Sequence, residues 1–250
     1  IRARWPAAAR TVGRVAAQAA DAIDVEADVA AVDLAAVAQG ETLELARLEL
    51  LPAARQRLVL RAWLRSRGVD PPSVATLEAL RHDMLVAAAR RLPESRWPGV
   101  VVRRYRGRLY AAATEVDGPH WRPGPWSPGT AFDLGAWGGL ELREETGQGL
   151  SRERCGDLLE VVPRPAGAVF RPFGSEHHRE LRKWLQERGV LPWRRAGLPC
   201  VRVAGEIVAI GDLACGGGLA AAPGEPSWRI VWHGRPTLTE AEAVAERAES

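Results

Sequence analysis

Lysine is almost absent from this sequence. Lys183 is the sole lysine among 34 Lys and Arg residues, so its positive charge is carried by arginine. An arginine-borne surface has a physical consequence. The planar guanidinium forks onto phosphate oxygens and stacks on flat rings, where an ammonium acts as a point charge. Cysteine is scarce too: Cys155, Cys200 and Cys215 are odd in number and show no C-x-x-C spacing. That excludes a disulfide framework and a thiolate zinc site, and fits a reducing compartment. No stretch reaches the roughly 18 consecutive apolar residues that span a bilayer. The opening Ile1-Arg2-Ala3-Arg4-Trp5-Pro6 has no apolar core of a secretory signal. It also lacks an initiator methionine, as expected of a segment inside a longer gene product.

Catalytic signatures are missing as well. There is no H-E-x-x-H, no G-x-S-x-G and no glycine fingerprint between a strand and a helix. Gly216-Gly217-Gly218 lacks the lysine and hydroxyl of a phosphate loop and reads as a flexible turn. His177 and His178 are adjacent, so on a helix they diverge by about 100° and cannot readily share a metal. Glu144-Glu145 reads as an exposed polar run.

What is present is a chain of two textures. The 250 residues are 46% hydrophobic, enough for one large core or two smaller ones. Residues 6–38 are alanine-rich with spaced Val and Leu, giving one interrupted helix or two. Residues 42–50 hold a short strand or docking segment. A helix is expected from Pro52 to Arg67, stopped by Gly68, and another from the N-cap Ser73 to about Arg91, with Leu77, Leu80, Met84, Leu85 and Ala88 inward. After Pro93 the pattern shortens to strands. Val100–Tyr105 and Leu109–Ala111 flank the turn Arg106-Gly107-Arg108. A Pro/Gly/Trp-rich stretch follows, with a further strand at 140–143. Strands at 159–162 and 168–171, a helix from Ser175 to Arg188, a hairpin at 200–210, a strand at 228–232 and a terminal helix at 239–247 complete the pattern. The expected fold is therefore α+β: a helical domain with a terminal hairpin at 1–115, a connecting region with short strands at 116–157, and a small α+β domain at 158–250.

Two basic groupings stand out. Arg103, Arg104 and Arg106 sit on a strand and its turn, either as a solvated protective edge or as contacts to an RNA backbone. Arg179, Arg182 and Lys183 fall on the expected helix opposite Leu181, Trp184 and Leu185, with Arg194 and Arg195 just beyond its Gly189 stop. They form either an ordinary charged face or one aimed at phosphates. Trp121, Trp126 and Trp193, set among Pro and Arg, suit base stacking and core anchoring equally.

Two stretches resemble a known family. Leu58-Val59-Leu60-Arg61-Ala62-Trp63-Leu64, Pro72-Ser73 and Arg103-Arg104-Tyr105-Arg106-Gly107-Arg108-Leu109-Tyr110 are similar to the middle domain of tRNA(Ile)-lysidine synthase. Leu181-Arg182-Lys183-Trp184-Leu185-Gln186-Glu187, Gly189-Val190-Leu191-Pro192-Trp193-Arg194-Arg195, Leu198-Pro199 and Ile207-Val208-Ala209-Ile210 are similar to its C-terminal domain. The resemblance implies a cytoplasmic ligase that uses ATP, with Mg2+, to join lysine to the wobble cytidine (C34) of isoleucine tRNA. It assigns nucleotide and chemistry to an N-terminal ATP-pyrophosphatase-type domain whose serine-glycine-glycine loop has no counterpart here. This segment would then bind no cofactor or metal, hold no catalytic residue, and be inactive alone. Its partners would be isoleucine tRNA and the N-terminal domain, with no membrane; a homodimer is compatible. Arg103, Arg104, Arg106, Arg179, Arg182, Lys183, Arg194 and Arg195 become the RNA-binding candidates. Two other readings stay open: a non-catalytic RNA-binding or structural module, and an unrelated enzyme with a dispersed site.

Overall fold

A computed structural model describes residues 6–86, 92–114 and 121–245. The expected end of the third helix at Arg91, its core residue Ala88, and the end of the terminal helix at Arg247 lie outside them. The chain divides into two compact units, residues 1–113 with 244–250, and residues 114–243. The architecture is α+β.

In the first unit, helices α1 (Pro6–Val37), α2 (Leu45–Glu49), α3 (Ala53–Ser66) and α4 (Val74–Val86) accompany a five-stranded antiparallel sheet. Its strands are β1 (Ala38–Gln39), β2 (Thr42–Glu44), β3 (Glu94–Trp97), β4 (Val100–Tyr105) and β5 (Arg108–Ala113), in the order β1-β2-β5-β4-β3. The core forms around Trp63, Leu60 and Leu64 of α3, Leu77, Leu80 and Met84 of α4, and Leu43 and Leu109 of the sheet. The helix ends have visible causes. Ser73 accepts a hydrogen bond from the Thr76 N–H at 3.2 Å and caps α4. Beyond α3, Gly68 adopts φ 68°, and the Val69 N–H returns to the Leu64 carbonyl at 2.9 Å, taking up a carbonyl the helix leaves unpaired. Trp63 is fully buried because its indole N–H finds the Glu41 carbonyl at 3.0 Å. The single helix α1 keeps its last turns in this core through Ala30, Asp33 and Val37; buried Asp33 is held by Arg55 of α3 (Nε–Oδ2 2.6 Å).

The β4–β5 hairpin closes on two residues, Arg106 at φ 47° and Gly107 at φ 75°, with Tyr105 paired to Arg108. Positive φ at both positions is what the right-handed twist of a two-residue hairpin requires. The turn is thus one residue tighter than the expected Arg106-Gly107-Arg108.

The second unit contains β6 (Gly124–Trp126), β7 (Phe132–Asp133), β8 (Gly139–Thr146), β9 (Leu150–Ser151), α5 (Arg152–Cys155), β10 (Leu159–Pro163), β11 (Val169–Phe170), β12 (Arg179–Glu180), α6 (Leu181–Glu187), β13 (Pro199–Val203), β14 (Glu206–Ile210), β15 (Ala214–Cys215) and β16 (Pro226–His233). They build sheets ordered β15-β14-β13-β10-β6, β7-β8-β16-β9 and β11-β12; a last helix, α7 (Glu240–Ala245), follows. The described part of 116–157 differs from the connecting region expected of it. Trp126, Trp137, Leu140 and Leu142 are buried in one core with Leu159, Val161 and Leu185, and β6 and β8 pair with β10 and β16. The Pro/Gly density marks tight turns between short strands, and the tryptophans supply the burial that holds them. Trp137 and Trp232 stack with ring centres 6.2 Å apart, and the Trp232 indole donates to the Trp137 carbonyl at 2.6 Å.

Candidate nucleic-acid interface

The eight candidate cations fall into three kinds of environment. Arg103 and Arg194 are buried, each 6% exposed. Arg103 on β4 donates to Glu94 on β3 (Nε–Oε2 2.9 Å). Arg194 donates to the Thr237 carbonyl at 3.2 Å, with its guanidinium 5.7 Å from the Trp137 ring centre. Both are candidates for RNA contact, and both side chains are turned away from solvent. A charged group is removed from water only where partners replace its hydration, and both have such partners.

Arg104 and Arg195 are half-buried and bound to backbone. Arg104 donates to the Met84 carbonyl at 2.6 Å, satisfying the C-terminal end of α4. Arg195 donates to the Val190 carbonyl at 2.8 Å.

The remaining four are exposed. Arg106 stands on the hairpin turn, its guanidinium 5.2 Å from the Tyr105 ring centre. Arg179 donates to both carboxylate oxygens of Glu187, at 2.7 and 2.8 Å. Lys183 lies 3.2 Å from Glu180. Arg182 has no hydrogen bond or ion pair from its side chain among the described residues. The expected helix from Ser175 is shorter than its apolar pattern implied. Arg179 and Glu180 pair as β12 with Phe170 and Val169, so α6 starts only at Leu181. Arg179 therefore stands on a strand, and its nearness to Glu187 comes from the fold, not from helical spacing.

Two further cations, which the helical pattern places off the apolar side of α3 but which are not among the eight candidates, are singled out by geometry. Arg61 and Arg65 lie one turn apart on α3 and, among the described residues, neither has an ion-pair partner. Their neighbours Arg55 and Arg57 are engaged by Asp33 and Glu78. The sequence places all four arginines off the Trp63 stripe; which of them are paired depends on Asp33 and Glu78 arriving from other helices. Of the tryptophans suited to base stacking, Trp121 and Trp126 belong to the core instead; their indole N–H groups donate to the Gly197 and Thr130 carbonyls at 3.3 and 2.9 Å. Trp193 is half-buried.

The thiols are placed for packing. Burial pushes Cys155 up to about 11 and Cys200 up to about 12. Among the described residues no group of three or more His, Cys, Asp or Glu side chains is arranged to hold a metal ion, and no helix is long and apolar enough to cross a membrane.

Two family models match the chain in order: the TilS substrate binding domain over residues 43–110, and the TilS substrate C-terminal domain over residues 159–232. The tRNA(Ile)-lysidine synthase of Methylococcus capsulatus is 34% identical over 212 residues, 83% of this chain and 48% of that protein. The chain belongs to the tRNA(Ile)-lysidine synthase family. The enzymes of the same name from Alkalilimnicola ehrlichii and Ralstonia nicotianae are each 34% identical, over 225 and 240 residues, and the chain covers 50% and 51% of them. It thus spans about half the length of these lysidine synthases. The first match covers β2 to β5 with the helices between, and the second runs from β10 into β16. The surface cations fall inside these matches: Arg61, Arg65 and Arg106 in the first, Arg179, Arg182 and Lys183 in the second.

Proposed function

We propose that this chain is the tRNA-recognition portion of a tRNA(Ile)-lysidine synthase. Its role is to hold isoleucine tRNA while an N-terminal ATP-pyrophosphatase-type domain, using ATP and Mg2+ in the cytoplasm, ligates lysine to the wobble cytidine C34. The observation that carries the reading is the ordered pair of family matches, each containing surface arginines that engage no carboxylate. A-form stems hide base edges in a deep groove, so a protein grips them by phosphate geometry. Among the described residues Arg61, Arg65 and Arg182 are without an ion pair, and Lys183 is held only by half-buried Glu180 at 3.2 Å. The contribution to rate is positioning, so the chain by itself should form no lysidine.

The test is tRNA affinity across a salt series for the chain and for its Arg182→Ala/Lys183→Ala variant, with circular dichroism as the folding control. Removing one cation from a phosphate shallows the log-affinity against log-salt slope by about 0.9, so removing two gives a change of up to about 2. An unchanged slope in the folded variant makes α6 an ordinary solvated face. Lysidine formation by this chain alone, given ATP, lysine and tRNA, overturns the assignment of the chemistry to another domain.

A further inference from the structure

The second unit contains a groove of about 980 Å³ whose lining includes no residue of α6. It is lined by the tip of the β13–β14 hairpin, by Pro165, Gly167 to Val169 and Arg171, and by Gly216, Gly218 and Leu219. Its apolar lining comes from Val169, Val203, Ile207 and Leu219. Four basic side chains reach it, and Glu206 is the one carboxylate among the described lining residues.

The four are unequal. Arg202 is paired with Glu160 at 2.8 Å. Arg154 is used up by the Gly218 and Ala220 carbonyls, at 3.2 and 2.7 Å, and by Glu225 at 3.0 Å. His178 is exposed. Arg171 is half-buried and, among the described residues, has no hydrogen bond or ion pair to its guanidinium. A guanidinium withdrawn from bulk water and left unpaired in a pocket is suited to an incoming anion.

The three-glycine run has a structural reason. The Gly216 N–H donates to the Val208 carbonyl at 2.7 Å and the Gly217 N–H to the Arg171 carbonyl at 2.9 Å, stitching the run between β14 and Arg171. A Cβ on Gly218 would lie 2.9 Å from an Arg171 guanidinium nitrogen, and one on Gly217 3.2 Å from the Pro172 carbonyl. The contact at Gly218 is with the end of the flexible Arg171 side chain, which places that guanidinium beside the glycine run.

The geometry points to this groove as a subsite for one unpaired nucleotide, its phosphate on Arg171 and its base or ribose against the apolar walls. The bases of an A-form duplex are stacked inside it and out of reach, whereas the base of an unpaired nucleotide can turn into a pocket with apolar walls and a half-buried cation. The inference rests on the proposed RNA-holding role of the chain and adds to it a site for an unpaired strand.

The experiment measures binding of the full chain to a single-stranded pentaribonucleotide, a blunt RNA duplex, inorganic phosphate and poly-glutamate at equal ionic strength. Arg171→Ala should weaken the pentanucleotide about tenfold, as removal of a charge-assisted hydrogen bond does. Arg171→Gln, which keeps a polar side chain of similar reach and removes the charge, should weaken it to a similar degree. Duplex affinity should change less than twofold. The proposal is overturned by pentanucleotide binding within twofold of the parent in both folded variants, by an equal drop for the duplex, by no pentanucleotide binding to the parent chain, or by poly-glutamate competing as well as RNA. Should Arg171→Ala fail to fold, Arg171→Gln decides. A response at Arg171 with tRNA binding indifferent to Arg182 and Lys183 would keep the groove and discard α6. The converse would keep α6 and discard the groove.

Discussion

Arg103 reaches from β4 to Glu94 on the edge strand β3, Nε to Oε2 at 2.9 Å, and is all but removed from solvent while its partner stays partly exposed. The pair joins two strands across a solvent boundary. The Glu94 carboxyl is held below its usual range, first by the hydrogen bond from Arg96 and further by the charge of Arg103. Arg103→Ala leaves Glu94 with Arg96 alone and a void in the sheet. The expected cost is about 2 kcal/mol, discounted from a fully buried pair because Glu94 is partly solvated. The melting temperature should fall by roughly 5 °C or more, while tRNA affinity of the folded fraction stays within twofold. An unshifted melt with a large drop in affinity would make Arg103 an RNA-touching residue instead.

Arg61 and Arg65 should behave in the opposite way. Arg61→Gln/Arg65→Gln removes two charges without an internal ion pair, Arg65 exposed and Arg61 half-buried, and changes of this kind usually stay within about 0.5 kcal/mol. Thermal stability should hold. On the proposed reading, tRNA affinity falls and the salt slope shallows by roughly 1.8. A calorimetric melt and a filter-binding salt series separate the two effects; unchanged binding would confine α3 to a structural role.

Glu225 gives the second unit an acid-resistant ion. Its carboxyl is held down to about 2 by the hydrogen bond from Ser151, then by the Ala222 N–H and Arg154. A carboxyl whose folded pKa lies below its unfolded value of about 4.3 stabilises the fold above that value, and the contribution drains away as pH falls towards 2. Carboxyl-resolved NMR should show Glu225 ionised at pH ~3. Glu225→Gln should flatten the acid limb of stability between about pH 4 and 2. A titration near the ordinary glutamate value would remove the argument.

The thiols act at the other end of the pH scale. Cys155 and Cys200 are raised to about 11 and about 12 by burial, and Cys215 is raised by the same cause. Native protein at about pH 8 should react with a thiol-specific disulfide reagent much more slowly than denatured protein, because the thiolate is the nucleophile. A folded pKa above the unfolded one means the stabilisation is complete below about pH 8.5 and is lost as pH climbs through about 11 to 12. Fast stoichiometric labelling of the native chain would contradict the burial of these groups.

Much of this fold is legible in the sequence. The Trp63 stripe, the Ser73 cap and the Gly68 stop are local devices, set by side-chain periodicity and backbone chemistry within a few residues, so α3 and the start of α4 follow directly. The arginine pattern and the two ordered stretches likewise carry the family resemblance. What sequence could not assign was the destination of each cation. Arg103 and Arg182 are the same residue type beside apolar neighbours, yet one crosses to Glu94 and is buried, and the other meets water. That difference depends on which strand or loop arrives from elsewhere in the chain. The same holds for Arg179, which a helical pattern claimed and β11 captured as strand, and for Gly216 to Gly218, a featureless turn until Arg171 is laid against it. Local propensity fixes elements within a dozen residues or so; partners separated by tens of residues are chosen only when the core closes, because burial then demands that each desolvated charge find whatever acceptor the fold has brought near.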